Sequence, residues 1–452
     1  MSPARPTRIP TPAEHFVGTG AWRHGLRYGL LGLPLAFVAL PLYVILPNHY
    51  ARSFGAPLAA LGLVLLLARL FDALLDPLIG RWCDRLFARS HRAVLAAGAG
   101  AAVALALGLW ALLFPPEAVR ADPAALLAWA GGLMALTCTA YSVASVVHQT
   151  WGARLAGNEA QRSRIVAWRE GLALLGVLLA AVLPGTLGLG ATITAFAVLL
   201  ALGWWAWSAA VVPLPGSPAT PAQAGMPARR SPLRQPRFLK LLVVFVLNGT
   251  ASAVPATLVL FFVQDRLQAP RAIEPAFLAT YFLFAALSLP LWVRLVGRLG
   301  LARSWLAGMA LAVAAFVWAA TLGEGDVWPF LVVCALSGLA LGTDLALPGA
   351  LLTGLMDELG ERGRREGAYL GWWNFAAKLN LALAAGLSLP LLALFGYSPG
   401  TRDPAALQVL TLAYCLLPCA LKLLAGAALH TLVIRPERLA RPTALPPLKA
   451  QP

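Results

Sequence analysis

The sequence predicts an all-α membrane protein with twelve transmembrane helices in two bundles of six. Three observations lead to this prediction: the composition, the spacing of the hydrophobic segments, and one long break near the middle of the chain. Of the 452 residues, 59% are hydrophobic and only 12% are charged, and the mean hydropathy is +0.74. Soluble globular proteins do not have this composition, whereas multi-pass membrane proteins do.

Twelve hydrophobic segments are long enough to cross a bilayer as α-helices, which takes about 20 apolar residues each. In chain order they cover residues 25–47, 56–80, 93–114, 123–151, 165–188, 190–213, 238–264, 273–296, 305–322, 327–356, 366–394 and 404–433. No cleavable signal peptide is expected, because the first 24 residues are polar and the first apolar segment is too long.

The longest break, residues 214–236, is rich in Pro, Ala and Gly and predicts a flexible linker between two six-helix bundles. The predicted bundles are residues 25–213 and 237–434, with tails at 1–24 and 435–452. A faint repeat supports the duplication, since Asp76 to Arg85 and Leu289 to Arg298 both place a basic turn after the second helix of a bundle.

Basic residues are distributed very unevenly between the two sides of the predicted membrane. With the amino terminus inside, 26 of the 35 Lys and Arg residues fall on the cytoplasmic side, 5 on the other side and 4 deep within spans; the 26 include Arg27, Lys240 and Arg294, which lie at the cytoplasmic ends of spans. This asymmetry follows the positive-inside rule, so the net charge of +16 indicates topology and not nucleic-acid binding. We expect both termini in the cytoplasm, in the inner membrane of a bacterium.

Two aspartates, Asp72 and Asp76, interrupt the second hydrophobic segment together with Arg69. A carboxylate at the centre of a span costs roughly 2.5–3.5 kcal/mol, so charged residues there usually serve a function. At about 100° per residue, the three side chains fall within an arc of roughly 60°. They form either a cation site facing a water-filled path or a self-neutralised ion pair between helices. The cation site is favoured because one arginine leaves one acid unpaired.

Two further cations lie inside spans. Arg169 begins the fifth segment, and its neighbour Glu170 is expected to point about 100° away. Arg169 either binds hydroxyls or a carboxylate of a solute or ties its helix to backbone carbonyls. Lys378, in the eleventh segment, needs a partner, and the surplus aspartate is the obvious one. It either competes with a coupling cation or forms a permanent salt bridge.

Other polar and aromatic residues give weaker indications. Asp344 is a third buried acid, with a helix-end bond near Pro348 as one reading, and Lys422 breaks the pattern of charged spans. Stacking on a sugar ring is one reading of Trp151 and Trp373, although interfacial belts also use Trp. No motif of an enzyme is present, and the five scattered cysteines give no zinc site.

The chain resembles the glycoside–pentoside–hexuronide:cation symporters (melibiose permease-like) of the major facilitator superfamily. Four stretches carry the resemblance: Arg69 to Gly80 with Asp84 and Arg85, Arg162 to Arg169, Leu247 to Thr257, and Arg364 to Lys378. The resemblance implies the major facilitator fold and alternating access by rocking of the two bundles. It also implies cation binding at Asp72, Asp76, Ser142 and Lys378, and solute binding near Arg169.

This sequence departs from the family at several positions. The first helix has no acid in residues 33–38, the acid of the fourth helix is replaced by Ser145, and Leu75 stands where the family has Asn. Loss of that amide oxygen favours a proton over sodium as coupling ion, with sodium still open. We expect the remaining solute contacts from Trp151, Gln149, Trp373 and Asn374, and gating roles for Arg69, Gly80, Asp84, Arg85 and Asp344.

These observations predict a cation-coupled symporter of a sugar, a glycoside or a similar small organic solute. The alternatives are a proton-coupled exporter, a lysolipid or amino-acid carrier of the same fold, and a membrane sensor or scaffold that transports nothing. We expect no cofactor beyond the coupling H⁺ or Na⁺, no enzymatic activity, and a monomer whose partners are the solute, the cation and the lipid bilayer.

Overall fold

The computed structural model describes residues 12–155, 157–213 and 231–436, which contain helices and no strands. We number the long helices in chain order: α1 Ala21–Tyr43, α2 Leu58–Arg89, α3 His91–Leu113, α4 Pro123–Arg154, α5 and α6 together Glu159–Ser208, α7 Pro236–Arg266, α8 Glu274–Leu299, α9 Leu301–Ala319, α10 Val327–Glu358, α11 Glu366–Leu394 and α12 Pro404–Ile434. A further helical segment, Leu46–Phe54, continues α1.

The boundary between α5 and α6 lies at Gly188, whose backbone is not helical (φ 77°, ψ 169°). A positive φ of this kind favours glycine, so the chain changes direction there without strain. At the other end, Asn158 and Gln161 form a capping box that starts α5. Residues 159–187 and 189–208 therefore form two helices, one in each direction across the bilayer.

Nine spans among the described residues are long and apolar enough to cross a membrane. Dividing Glu159–Ser208 at Gly188 adds one, and the charged helices α2 and α11 bring the total to twelve. One face of α2, with Leu63, Leu66 and Leu74, is more than half exposed, as expected where lipid covers the protein. The predicted fold class is confirmed: the chain is a multi-pass, all-α membrane protein.

Each bundle has its own apolar core. Trp151 and Trp207 are fully buried in the amino-terminal bundle, and Trp305 and Phe238 are fully buried in the carboxy-terminal one. The linker residues 214–230 and the tail residues 1–11 and 437–452 lie outside the described residues. The predicted domain boundaries at 213 and 237 thus remain predictions.

The bundles meet where α2 packs on α11 and where α5 packs on α8 and α10. Along α2 and α11 the backbones touch, because a Cβ on Gly80 would lie 2.1 Å from the carbonyl oxygen of Gly367. A Cβ on Gly371 would lie 2.4 Å from the carbonyl oxygen of Asp76. We call this contact, formed by Gly80, Gly367 and Gly371, the α2–α11 seam. Only glycine permits so close an approach.

Candidate functional site

The predicted cation-binding residues come together between the two bundles. Lys378 Nζ, from α11, lies 2.6 Å from Asp72 Oδ2 and 2.8 Å from Asp76 Oδ2 of α2. Ser142, from α4, donates from Oγ to Asp72 Oδ1 at 2.7 Å and accepts from Lys378 Nζ at 2.9 Å. Neither aspartate faces lipid, since both are only 1% exposed. We call these four residues the aspartate–lysine cluster.

The aspartate–lysine cluster has one cation for two carboxylates. Asp72 is satisfied through both oxygens, whereas neither buried oxygen of Asp76 accepts a hydrogen bond from the described residues. Lys378 approaches Asp76 closely enough for an ion pair but not in hydrogen-bond geometry. The Lys378 side chain remains 24% exposed, so the cluster borders open space. Asp76 is therefore the less stabilised acid and the one most in need of a further positive charge.

Arg69 does not belong to this cluster. It is exposed, and its guanidinium lies 4.0 Å from the centre of the Tyr43 ring in a cation–π contact. Within the described residues it forms no ion pair with Asp72 or Asp76, so the self-neutralised pair considered from the sequence is absent there. Arg85 is also exposed and makes no ion pair with a described residue. The structure gives no support to gating roles for Arg69 and Arg85.

A cleft between the bundles lies beside the predicted solute-binding residues. Gln149, Arg169 and Trp373 all line it. Arg169 donates from Nε and Nη2 to Glu170 Oε1, at 3.0 and 2.5 Å, although adjacent residues were expected to point apart. That expectation was wrong because both side chains are long enough to curl back to one another along the helix surface. Trp373 is stacked on Phe245, with ring centres 3.8 Å apart.

Three other predicted solute contacts lie elsewhere or are less well placed. Trp151 is fully buried inside the amino-terminal bundle, where its Nε1 donates to the carbonyl of Val211 at 2.9 Å. It therefore cannot stack on a solute in this cleft, and the role is withdrawn. Ser145 is buried and accepts a hydrogen bond from Gln149 at 3.0 Å. Asn374 is partly buried on α11, outside the cleft lining.

Asp84 fastens α2 to the start of α11. Its two carboxylate oxygens accept hydrogen bonds from the backbone N–H groups of Gly367 and Ala368, at 2.8 and 2.9 Å. A carboxylate is well placed there, because a helix amino terminus carries partial positive charge. Arg154 of α4 completes the contact, 3.4 Å from Asp84 and 3.0 Å from Glu366. Gly80 and Asp84 thus both lie where the two bundles touch, and their gating roles stay predictions.

The sequence reading missed Arg154 and Glu366. Both lie at helix ends, where charged side chains usually reach water, so their pairing across the bundles left no separate signal in the sequence. Their burial, 5% exposed for Arg154 and 1% for Glu366, is visible only in the folded chain.

Two more contacts join the bundles on the same side, which we call the basic side because the Arg-rich loops lie there. Arg162 of α5 donates to Asp357 of α10 at 2.6 Å, and Arg362 also pairs with Asp357 at 3.2 Å. Glu159 accepts from the backbone N–H of Leu301 at 3.0 Å. Among the described residues, no hydrogen bond or ion pair joins the bundles on the opposite side. The bundles are therefore closed together on the basic side.

Asp344 is placed inside the carboxy-terminal bundle and not at the contact between bundles. Lys422 donates to Asp344 at 3.0 Å, to Asn248 at 2.9 Å and to Ser252 at 3.0 Å. Asp344 also accepts from Asn248 at 2.8 Å and from Trp305 at 2.9 Å. Every partner is in the same bundle, so the gating role predicted for Asp344 is not supported. The bond near Pro348 is replaced by this cluster.

Comparison with known proteins agrees with this architecture. The chain matches, over residues 27–435, the family described as MFS/sugar transport protein. No curated protein sequence matches it.

Solved structures of similar fold include the outward-facing bacterial homologue of the iron transporter ferroportin (16% identity, TM-score 0.65, 90% of this chain and 99% of that one). They also include the Escherichia coli fucose:proton symporter (14%, 0.61, 88% and 98%) and the human organic anion transporter TETRAN (19%, 0.61, 90% and 99%). These identities establish the fold alone. With a family match over most of its length and a twelve-helix fold shared with these transporters, the chain belongs to the MFS/sugar transport protein family of the major facilitator superfamily.

Proposed function

We propose that the protein is a cation-coupled symporter that carries a sugar, a glycoside or a similar small organic solute across the bacterial inner membrane. The observation that carries the proposal is the aspartate–lysine cluster, in which Lys378 bridges Asp72 and Asp76 and leaves one negative charge over. A buried surplus charge is costly, so it is retained where a mobile cation arrives and leaves. Sugar transport in the family description supports the class of solute.

In this proposal the solute enters from the side opposite the basic loops, while Asp84, Arg154 and Arg162 hold the basic side closed. With the Arg-rich loops in the cytoplasm, that entry side is the outside of the cell. Binding of the cation at Asp76 and of the solute near Arg169 and Gln149 stabilises a state in which the basic side opens. Each cation that enters across 100 mV supplies about 2.3 kcal/mol, enough for roughly fiftyfold accumulation.

We propose a proton as the coupling ion. The Lys378 ammonium group already contacts both aspartates and Ser142, the side-chain oxygens that a sodium ion would need. Leu75 adds no oxygen ligand. A proton needs only one carboxylate, and Asp76 has two oxygens without hydrogen bonds.

The test is uptake by proteoliposomes that contain the purified full-length protein. A panel of labelled sugars and glycosides is offered with an inward proton gradient, an inward sodium gradient, or neither. We expect uphill uptake of at least one solute with the proton gradient, and its loss when a proton ionophore is added. Solute movement without any cation dependence would refute coupling. If no solute moves under either gradient, a sensor or scaffold is favoured. If a solute enters the vesicles only when the proton gradient is directed outward, an exporter is favoured.

A further inference from the structure

The cleft between the bundles is basic. It lies between α1, α4 and α5 of one bundle and α10 and α11 of the other, and its lining includes Tyr28, Gln149, Arg162, Arg169, Thr353 and Trp373. No Asp or Glu occurs among the described residues that line it. Arg162 and Arg169 are seven residues apart on α5, which places both on one face of the helix, at two levels of the cleft.

At the end of the cleft nearest the basic side, the positive and negative charges of the side chains do not cancel. Arg162 and Arg362 share a single carboxylate, Asp357, so this group carries one surplus positive charge. The Arg169–Glu170 pair is neutral. Two nearby groups of described residues carry surplus negative charge: the aspartate–lysine cluster, assigned above to the coupling cation, and Asp84 with Glu366, which share Arg154. No carboxylate of either group lines the cleft. A solute in the cleft thus meets positive charge at the end of the cleft nearest the basic side.

Arg162 also has an unused donor. Its Nη2 donates to Asp357, but its Nε is buried and has no hydrogen-bond partner among the described residues. Buried donors in folded proteins are nearly always satisfied, so an unsatisfied one at a cleft calls for an acceptor. A planar guanidinium with free donors matches the oxygens of a carboxylate, phosphate or sulfate group.

We propose that the transported solute carries an oxyanion group that binds Arg162 and replaces Asp357 as its partner. Asp357 can release Arg162 because Arg362 still neutralises it at 3.2 Å. Arg162 and Asp357 belong to different bundles, so the exchange removes one of the contacts that close the basic side. Binding of the solute then directly breaks a contact that holds the basic side closed. This inference rests on the proposed function, since it names the chemistry of the solute for that transporter.

The first test measures binding of oxyanions to the full-length protein in nanodiscs. Acetate, phosphate and sulfate are the probes, with chloride at equal ionic strength as the reference, and the shift of the thermal unfolding midpoint is followed against concentration. We expect stabilisation by at least one oxyanion and none by chloride. Arg162→Gln should weaken the apparent affinity about tenfold or more, as expected for loss of a charge-assisted hydrogen bond. Arg164→Gln, on the same helix but outside the cleft lining, is the matched control and should change nothing.

A second variant changes the affinity in the opposite direction. Asp357→Asn removes the competitor for Arg162, so the oxyanion should bind more tightly than to the unmodified protein. The five native cysteines are buried, which allows Thr353→Cys to report thiol labelling from the basic side. Labelling should rise when the oxyanion is added.

The inference is overturned if no oxyanion stabilises the protein more than chloride, or if Asp357→Asn binds the probes no better. Cation-coupled uptake of a neutral sugar that Arg162→Gln leaves unaltered would overturn it as well, and the proposed function would then stand. The variants could instead bind oxyanions as expected while no solute shows cation-coupled uptake. The oxyanion site would then stand, and the proposed symport function would be refuted.

Discussion

Replacing Asp76 by Asn tests the charge balance of the aspartate–lysine cluster. The substitution keeps the shape of the side chain but removes the surplus negative charge, so Lys378 and Asp72 remain as a neutral pair 2.6 Å apart. The transporter then has no charge to be neutralised by an incoming cation. At 100 mV the lost driving force is about 2.3 kcal/mol per cation, so roughly fiftyfold accumulation should fall to equal concentrations on both sides.

Two measurements on the same proteoliposomes separate coupling from general damage. Uphill uptake driven by a cation gradient should disappear in Asp76→Asn, while exchange of labelled for unlabelled solute at equal concentrations should continue. Asp122→Asn is the control: Asp122 caps the start of α4, and Asn caps helices about as well. Wild-type accumulation by Asp76→Asn would show that the surplus charge is not the coupling site.

Three further predictions concern closure and stability. Asp84→Asn should weaken two charge-assisted hydrogen bonds of about 1.5–3 kcal/mol each and shift the population toward opening on the basic side by about tenfold or more, measured by distances between spin labels. Unchanged distances would exclude Asp84 from closure. Gly80→Ala places a Cβ 2.1 Å from a backbone carbonyl of α11 and should open the same side, whereas Gly100→Ala, with open space around it, should not. Lys422→Met leaves the carboxylate of Asp344, whose side chain is only 14% exposed, without an ion-pair partner. The free energy of unfolding should therefore fall by about 3–5 kcal/mol, and adding Asp344→Asn should restore most of it in thermal unfolding. A double variant as unstable as the single one would contradict this reasoning.

The sequence predicted the fold because lipid imposes a simple pattern. Each span needs about 20 apolar residues, and exceptions such as Asp72 and Asp76 are conspicuous against that background. The pairing of Lys378 with these aspartates also followed, since a lysine so deep in a span requires a nearby acid. The structure places these residues together, 2.6–2.8 Å from nitrogen to oxygen.

The direction in which a side chain faces was harder to predict. Arg69 and Asp72 are within one helical turn, yet Arg69 turns outward to the Tyr43 ring while Asp72 is buried. Trp151 looked like a stacking residue but fills the core of its bundle. In these spans both faces of a helix are apolar, so hydrophobic periodicity does not show which face meets lipid and which meets the other bundle.

The residues that bind charge and the residues that close the protein occupy one stripe of α2. Asp72, Asp76, Gly80 and Asp84 recur every four residues, so they run down the same side of the helix toward the basic loops. On α11 they face Lys378, Gly371 and Gly367 in turn. Because α2 is rigid, a change in its distance from α11 at one end of the stripe tilts the helix and changes that distance at the other end. How far Lys378 stands from its carboxylates is therefore geometrically tied to how tightly the glycines meet, and no separate relay is required between ion and gate.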